Sequence, residues 1–324
     1  MRRREADQLP RQTGDGTTRA TFTRMVAAIL AVYLLAAGVV YLWRGTYFVP
    51  DPPDSWALLL LIGAVVLGRW KDFLRDWVPL VALIFGYELL RGFAGTVTVG
   101  NSLVPASDGA VHYRWILDTD TRLFGGTAPT AWLQERLYDP GVVHWYDALA
   151  GLVYSLHFAL PLVFGYVLWV RDRDHFRLFA ITLLFMTYST FVVFLLYPTA
   201  PPWLVGVWGF LPGVHDPFDQ VASATADAGS AFTTLTVWTK ASPDPVAAFP
   251  SLHAAYPWLV LLFLVRFFGR RGWLFLLYNA LLWFSIVYLA QHWVVDVLGG
   301  IAWATASFFV VQFVWSRLQL APAT

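Results

Sequence analysis

Residues 249–296 read FPSLHAAYPWLVLLFLVRFFGRRGWLFLLYNALLWFSIVYLAQHWVVD. Two apolar runs, 252–268 and 272–291, flank a basic break at Arg270 and Arg271. Each is close to the roughly 20 residues that an α-helix needs to cross a bilayer core. Two such runs joined by a short break predict an antiparallel hairpin, so residues 249–253 and 292–296 return to the same side of a membrane. Moving outward, the same ruler marks spans at 22–43, 55–69, 77–94, 146–170, 177–197 and 293–316, with 55–69 the shortest. The spans at 77–94, 272–291 and 293–316 contain Gly or Pro, which membrane helices tolerate when neighbours satisfy the backbone. Of the 324 residues 58% are hydrophobic and 13% charged, against about 25% charged in an ordinary globular chain. The expected fold is all-α: a polytopic membrane helical bundle of about eight spans.

The distribution of Lys and Arg sets an orientation. With the N-terminus in the cytoplasm, sixteen of the 22 fall on the inner side, in the tail, at 69–75, at 171–177, at 266–271 and at Arg317. The outer side, with longer loops, holds Arg44, Arg91, Arg114, Arg122, Arg136 and Lys240. By the positive-inside rule both termini are expected in the cytoplasm. Residues 1–24 are charged, lack an apolar period and read as a disordered cytoplasmic tail. The apolar run behind them is too long for a cleavable signal. Residues 25–74 read as two accessory spans and 75–317 as the catalytic membrane domain. Between spans, AWLQERLY at 131–138 reads as an interfacial helix, and 198–250 as a long loop of the kind that is functional or disordered.

Composition also excludes functions. A net charge of +1 gives no reason to expect nucleic acid, and the absence of Cys excludes disulfides, thiolate metal sites and a cysteine nucleophile. No Walker loop, kinase signature or HExxH occurs. Few ionisable groups sit in or beside the spans: Glu88, Arg91, Asp147, His157, His253, His292 and Asp296. Each such group is costly in a membrane and so a functional candidate. The hairpin brings His253 and His292 to the same depth. A helix starting near Gln291 would put His292 and Asp296 on one face, the Asp fixing the imidazole tautomer. The positive end of that helix would favour an anion beside His292. Two histidines and an orienting carboxylate suit phosphoryl transfer, one imidazole attacking phosphorus and the other protonating the leaving oxygen. A metal would need further ligands, and no compact cluster supplies them. No cofactor is expected.

FPSLHA (249–254) followed by SIVYLAQHWVVDVLGG (285–300) resembles the second and third signatures of the type 2 phosphatidic acid phosphatase superfamily. With PTAPPW at 198–203, these segments are most similar to its inositol phosphorylceramide synthase branch. YELLR (87–91), DTRLFGG (120–126) and YSLHFALP (154–161) are similar to bacterial members of that branch. The resemblance covers roughly residues 75–316. It implies His292 as nucleophile, Asp296 as its orienting partner, His253 as acid then base, and Ser251 with nearby amides on the phosphate oxygens. It also implies a phospholipid donor and a lipid acceptor in the membrane, with the site on the extracytoplasmic face.

Two departures stand out. PTAPPW occupies the place of the superfamily's Lys and Arg-Pro signature, and Ile286 stands where an Arg follows Ser285. Phosphate charge would then fall to Arg91 and Lys240. Twenty Arg against two Lys points to a GC-rich bacterial genome, so the acceptor need not be ceramide. The expected function is transfer of a phospho-headgroup, plausibly phosphoinositol, from a phospholipid to a lipid hydroxyl through phosphohistidine. The alternative is a lipid or prenyl phosphate phosphatase in which water is the acceptor. A flippase or binding scaffold without catalysis is the reading from another class. His157 either holds the bundle or touches substrate; Glu88 and Arg91 either neutralise each other or contact a headgroup. Trp203 is a candidate lining of the headgroup pocket. Asp118, Asp120 and Asp147 read as loop and helix-start residues.

Overall fold

The computed structural model describes residues 54–99, 111–226 and 244–320. The expected tail, the span at 22–43 and Lys240 lie outside these residues. Within them the chain is helical: α1 (Asp54–Val66), α2 (Trp70–Val99), α3 (Arg114–Leu123), α4 (Pro129–Leu137), α5 (Trp145–Arg171), α6 (Arg173–Leu196), α7 (Pro202–Val207), α8 (Pro217–Ala226), α9 (Leu252–Phe268), α10 (Leu276–Tyr288) and α11 (Val294–Leu320). A 3-10 segment, Gly269–Phe275, joins α9 to α10.

Among the described residues three helical stretches are long and apolar enough to cross a membrane: Arg173–Leu196, Leu252–Tyr288 and Val294–Arg317. A fourth is bent by 44° between Trp145–His157 and Ala159–Arg171. The bend has a covalent cause. Pro161 lacks the amide that the His157 carbonyl would have accepted, and its ring crowds that carbonyl. The 37 residues of Leu252–Tyr288 do not run straight. A straight helix of that length would be about 55 Å long, yet His253 near one end touches His292 just beyond the other. The reversal occurs through Gly269, whose φ of 58° suits glycine.

α9 is the central helix, packed on α5, α6, α10 and α11. Helices in lipid gain little from hiding apolar surface from one another, so side-chain fit has to hold them. Phe263 of α9 meets Phe179 of α6 edge-on at 5.2 Å and Phe308 of α11 at 5.1 Å, the preferred geometry of aromatic pairs. At the bundle end remote from the two histidines, α5 and α6 turn over Asp172, whose Oδ1 caps α6 by accepting from the Asp174 and His175 amides. Arg173 pairs with Asp72 there, and Arg69 donates to the Trp169 and Val170 carbonyls, 3.3 and 3.1 Å away.

At the histidine end a layer of short elements covers the bundle. α4 contains most of the stretch read as an interfacial helix. The segment read as a long loop contains α7 and α8. Three extended pieces meet side by side, with Thr199 bridging to His112 on one flank and Ala247 on the other. They tie the ends of α3, α6 and α9 together through backbone bonds such as Ala200 N–H to His112 O, 3.0 Å, and Ala248 N–H to Thr199 O, 3.1 Å.

α11 approaches the start of α9 so closely that a Cβ on Gly300 would lie 2.2 Å from the Ser251 carbonyl oxygen. Gly300→Ala should therefore push α11 from the histidine-bearing end of α9. The expected cost is about 1–3 kcal/mol, typical of overpacking, read as a lower melting temperature in detergent together with reduced activity. An unchanged melting temperature would contradict the contact.

Candidate active site

Ser251 starts α9. It is fully buried, and its Oγ accepts the Ala254 amide at 3.2 Å, as a helix N-cap does. Its own amide donates to the Asp296 carbonyl at 3.0 Å. This seats His253 on the first turn of α9 with its Nδ1 2.7 Å from Nε2 of His292. The hydroxyl expected on phosphate thus accepts as a helix cap, a role compatible with donating its proton elsewhere.

His292 is not on a helix, contrary to the expectation of one starting near Gln291. α10 ends at Tyr288 and α11 begins at Val294. The chain reverses through Ala290, a non-glycine at φ 59°. The amides of Gln291 and His292 both donate to the Ile286 carbonyl, at 2.9 and 3.2 Å, which closes the turn over the end of α10. Asp296, in the first turn of α11, still reaches His292: its Oδ2 lies 3.4 Å from His292 Nδ1 and accepts the Trp293 amide at 2.9 Å. Among the described residues Asp296 Oδ1 has no hydrogen-bond partner. A 3.4 Å contact is long for an N–H···O bond; catalytic contacts of this kind commonly tighten only around substrate.

The positive end of α11 does not await an anion, which corrects the second expectation about this helix. Its opening amides are taken by carboxylates. Beside Trp293, Val294 donates to Asp120 Oδ2 at 2.8 Å and Val295 to Asp120 Oδ1 at 3.0 Å. Asp120 is a helix-start residue, but of a helix 174 positions later, and no spacing rule in the sequence could have paired them. Burial pushes its carboxyl up to about 6, with the Asp296 charge adding to the rise and the two amides opposing it. Asp147 caps its own helix: its Oδ2 accepts the His144 amide at 2.8 Å, and its Oδ1 accepts from the Tyr288 hydroxyl. Asp118 is exposed.

His157, read as deeper than His253, is brought level with it. Its ring centroid lies 4.2 Å from that of His253, and Tyr154 stacks on His253 at 4.9 Å. His157 Nδ1 contacts the Tyr154 carbonyl, which fixes its ring. Arg91 is half-buried on α2, and its charge reaches Asp244, a residue the sequence reading did not single out. Burial raises the Asp244 carboxyl to about 6, while Arg91 and the Val246 amide hold it down. The Trp203 amide donates to the Ala290 carbonyl at 3.0 Å, so Trp203 supports the His292 turn from outside. Among the described residues no group of three or more His, Asp and Glu is arranged to hold a metal.

With Asp296 accepting from His292 Nδ1–H, His292 Nε2 carries the lone pair and His253 Nδ1–H donates to it; the tautomers follow from this network. The arrangement presents a nucleophilic nitrogen and a proton donor side by side. An incoming phosphorus has to part the two rings to reach the nitrogen.

A family model described as the PAP2 superfamily matches residues 114–310. The phosphoinositol dihydroceramide synthase of Bacteroides thetaiotaomicron is 29% identical over 282 residues, which is 79% of this chain and 89% of that protein. The inositol phosphorylceramide synthase catalytic subunit of Schizosaccharomyces pombe is 29% identical over 169 residues, 51% of this chain and 40% of that one. The inositol phosphorylceramide synthase of Candida albicans is 28% identical over 170 residues, covering 52% and 36%. No solved structure matches.

The raised Asp120 carboxyl has a consequence for stability. A carboxyl whose folded value, about 6, exceeds its ordinary one adds stability below about pH 4 that is lost as pH rises through the folded value. The wild-type melting temperature in detergent should therefore fall more steeply between about pH 4 and pH 7 than that of Asp120→Asn. Parallel curves would contradict the raised value.

Proposed function

The chain belongs to the PAP2 superfamily, and from that premise we propose that it is a membrane lipid phosphotransferase that moves a phosphoinositol-type headgroup from a phospholipid to a lipid hydroxyl. The observation that carries this is the 2.7 Å contact between His253 Nδ1 and His292 Nε2 with Asp296 behind His292. Similarity to a phosphoinositol dihydroceramide synthase over 79% of the chain supports the headgroup class.

In the first half-reaction the Nε2 lone pair of His292 attacks phosphorus. The bond from phosphorus to the diacylglycerol oxygen breaks, and His253 gives that oxygen its proton. Asp296 stabilises the positive charge arising on the His292 ring. In the second half-reaction His253 takes the proton of the acceptor hydroxyl as its oxygen attacks phosphorus, and the phosphorus–nitrogen bond breaks. The enzyme ends as it began, with one phosphoester exchanged for another. Arg91, Lys240 and the Ser251 hydroxyl meet the phosphate charge in place of the missing Lys and Arg-Pro signature. Trp203 and His157 line the headgroup side. The bundle has about eight spans, two of them accessory to a core at 75–317. Its termini lie in the cytoplasm and its site on the extracytoplasmic face of a bacterial membrane, a placement supported by sixteen of the 22 Lys and Arg falling on the opposite side.

The test is to incubate purified protein with headgroup-labelled phosphatidylinositol and a total lipid extract. A new labelled lipid is expected, lost by about 10³-fold or more in His292→Ala and His253→Ala, as when members of one catalytic unit are removed. Label released only as water-soluble phosphoinositol or phosphate would replace the transferase by the phosphatase reading. An unimpaired His292→Ala would overturn both.

A further inference from the structure

The first turn of α11 carries the residue that orients His292, and the same turn has to satisfy its own amides. A helix leaves its opening N–H groups without intrahelical partners. Trp293 stands at the N-cap and has no side-chain acceptor. Asp296, three residues on, reaches back to the Trp293 amide as the acidic half of a capping box does. Left alone, that single carboxylate, in the same helical turn, would also face the part-buried Val294 and Val295 amides. Asp120 removes the competition: it is fully buried, and each of its oxygens takes one of those two amides. Asp296 keeps one oxygen for Trp293 and His292, and its other oxygen has no partner among the described residues. That unpartnered oxygen is an acceptor to which an amide left open could draw the Asp296 carboxylate.

We infer that Asp120 is a positioning residue for catalysis: by capping the Val294 and Val295 amides from α3, it keeps Asp296 on His292 and so keeps His292 in the Nδ1-protonated, Nε2-nucleophilic form. The inference rests on the proposed role of His292. It concerns the chemical step and not donor binding, since the Asp120 oxygens are taken by the Val294 and Val295 amides.

Asp120→Asn retains one acceptor oxygen but turns an NH2 group toward the other amide. Its kcat should fall about 10–100-fold, the range for groups that orient a reacting ligand through another residue, with the donor KM within about twofold of wild type. Asp120→Glu, which keeps both oxygens, should recover part of the loss. Asp172→Asn is the matched control: it weakens a two-amide Asp cap at the opposite end of the bundle and should lower the melting temperature without changing kcat. If both Asn variants lose kcat alike, or Asp120→Asn loses none, the inference falls. The ratios are read on whichever product the wild type makes, so a wild type that releases only water-soluble product counts against the transferase reading alone. A measurement independent of turnover is the imidazole ¹⁵N spectrum, with the His292 signals assigned by difference from His292→Asn. One Nδ1–H tautomer is expected in the wild type and a mixture in Asp120→Asn; identical His292 signals in both would overturn the inference.

Discussion

A largely buried helix break has little access to water, and the N–H and C=O groups it opens need partners within the protein. Residues 288–295 are such a break, and the site is organised around meeting that demand. Gln291 and His292 donate to Ile286. Trp293, Val294 and Val295 donate to Asp296 and Asp120. The freed carbonyls are met from the covering layer: Ala290 by the Trp203 amide, Tyr288 by Gln134 Nε2 at 2.9 Å. Trp293 Nε1 donates to the Ala200 carbonyl at 2.8 Å. The short helices at this end therefore act as a clamp on one turn, and that turn presents His292.

The same constraint explains the close approach of α11 to α9. The Ser251 amide donates to the Asp296 carbonyl, which joins the turn that presents His253 to the turn that presents His292. Gly300 admits that contact because it has no side chain. The backbone bonds thus hold the two imidazoles as a pair, with His253 Nδ1 2.7 Å from His292 Nε2, until a phosphorus parts the rings.

Much of the bundle was legible in the sequence because the membrane ruler is a physical one. The spans read at 146–170, 177–197, 252–268 and 293–316 correspond to α5, α6, α9 and α11 with ends displaced by a few residues. That His253 and His292 reach the same depth follows from the length of the hairpin, whereas their 2.7 Å contact is a finding of the structure. What the ruler missed depends on contacts between distant segments. α3 is short and polar, so hydropathy did not reveal it, and its Asp120 meets α11 across 174 positions. The start of α11 was misplaced because periodicity puts His292 and Asp296 on one face, whereas the left-handed Ala290 and the Asp120 cap delay the helix to Val294. His157 was read as too deep because α5 and α9 begin at different heights, a stagger no single span discloses.

The central claim is that His292 carries the headgroup between two lipids, and it can be tested on the covalent intermediate itself. Purified protein mixed with phosphatidylinositol in the absence of acceptor lipid, quenched in alkali and digested, should yield a peptide containing His292 heavier by one phosphoinositol group, with the added mass lost in acid. Donor consumption without an adduct on His292, or with the adduct on another residue, would contradict the account.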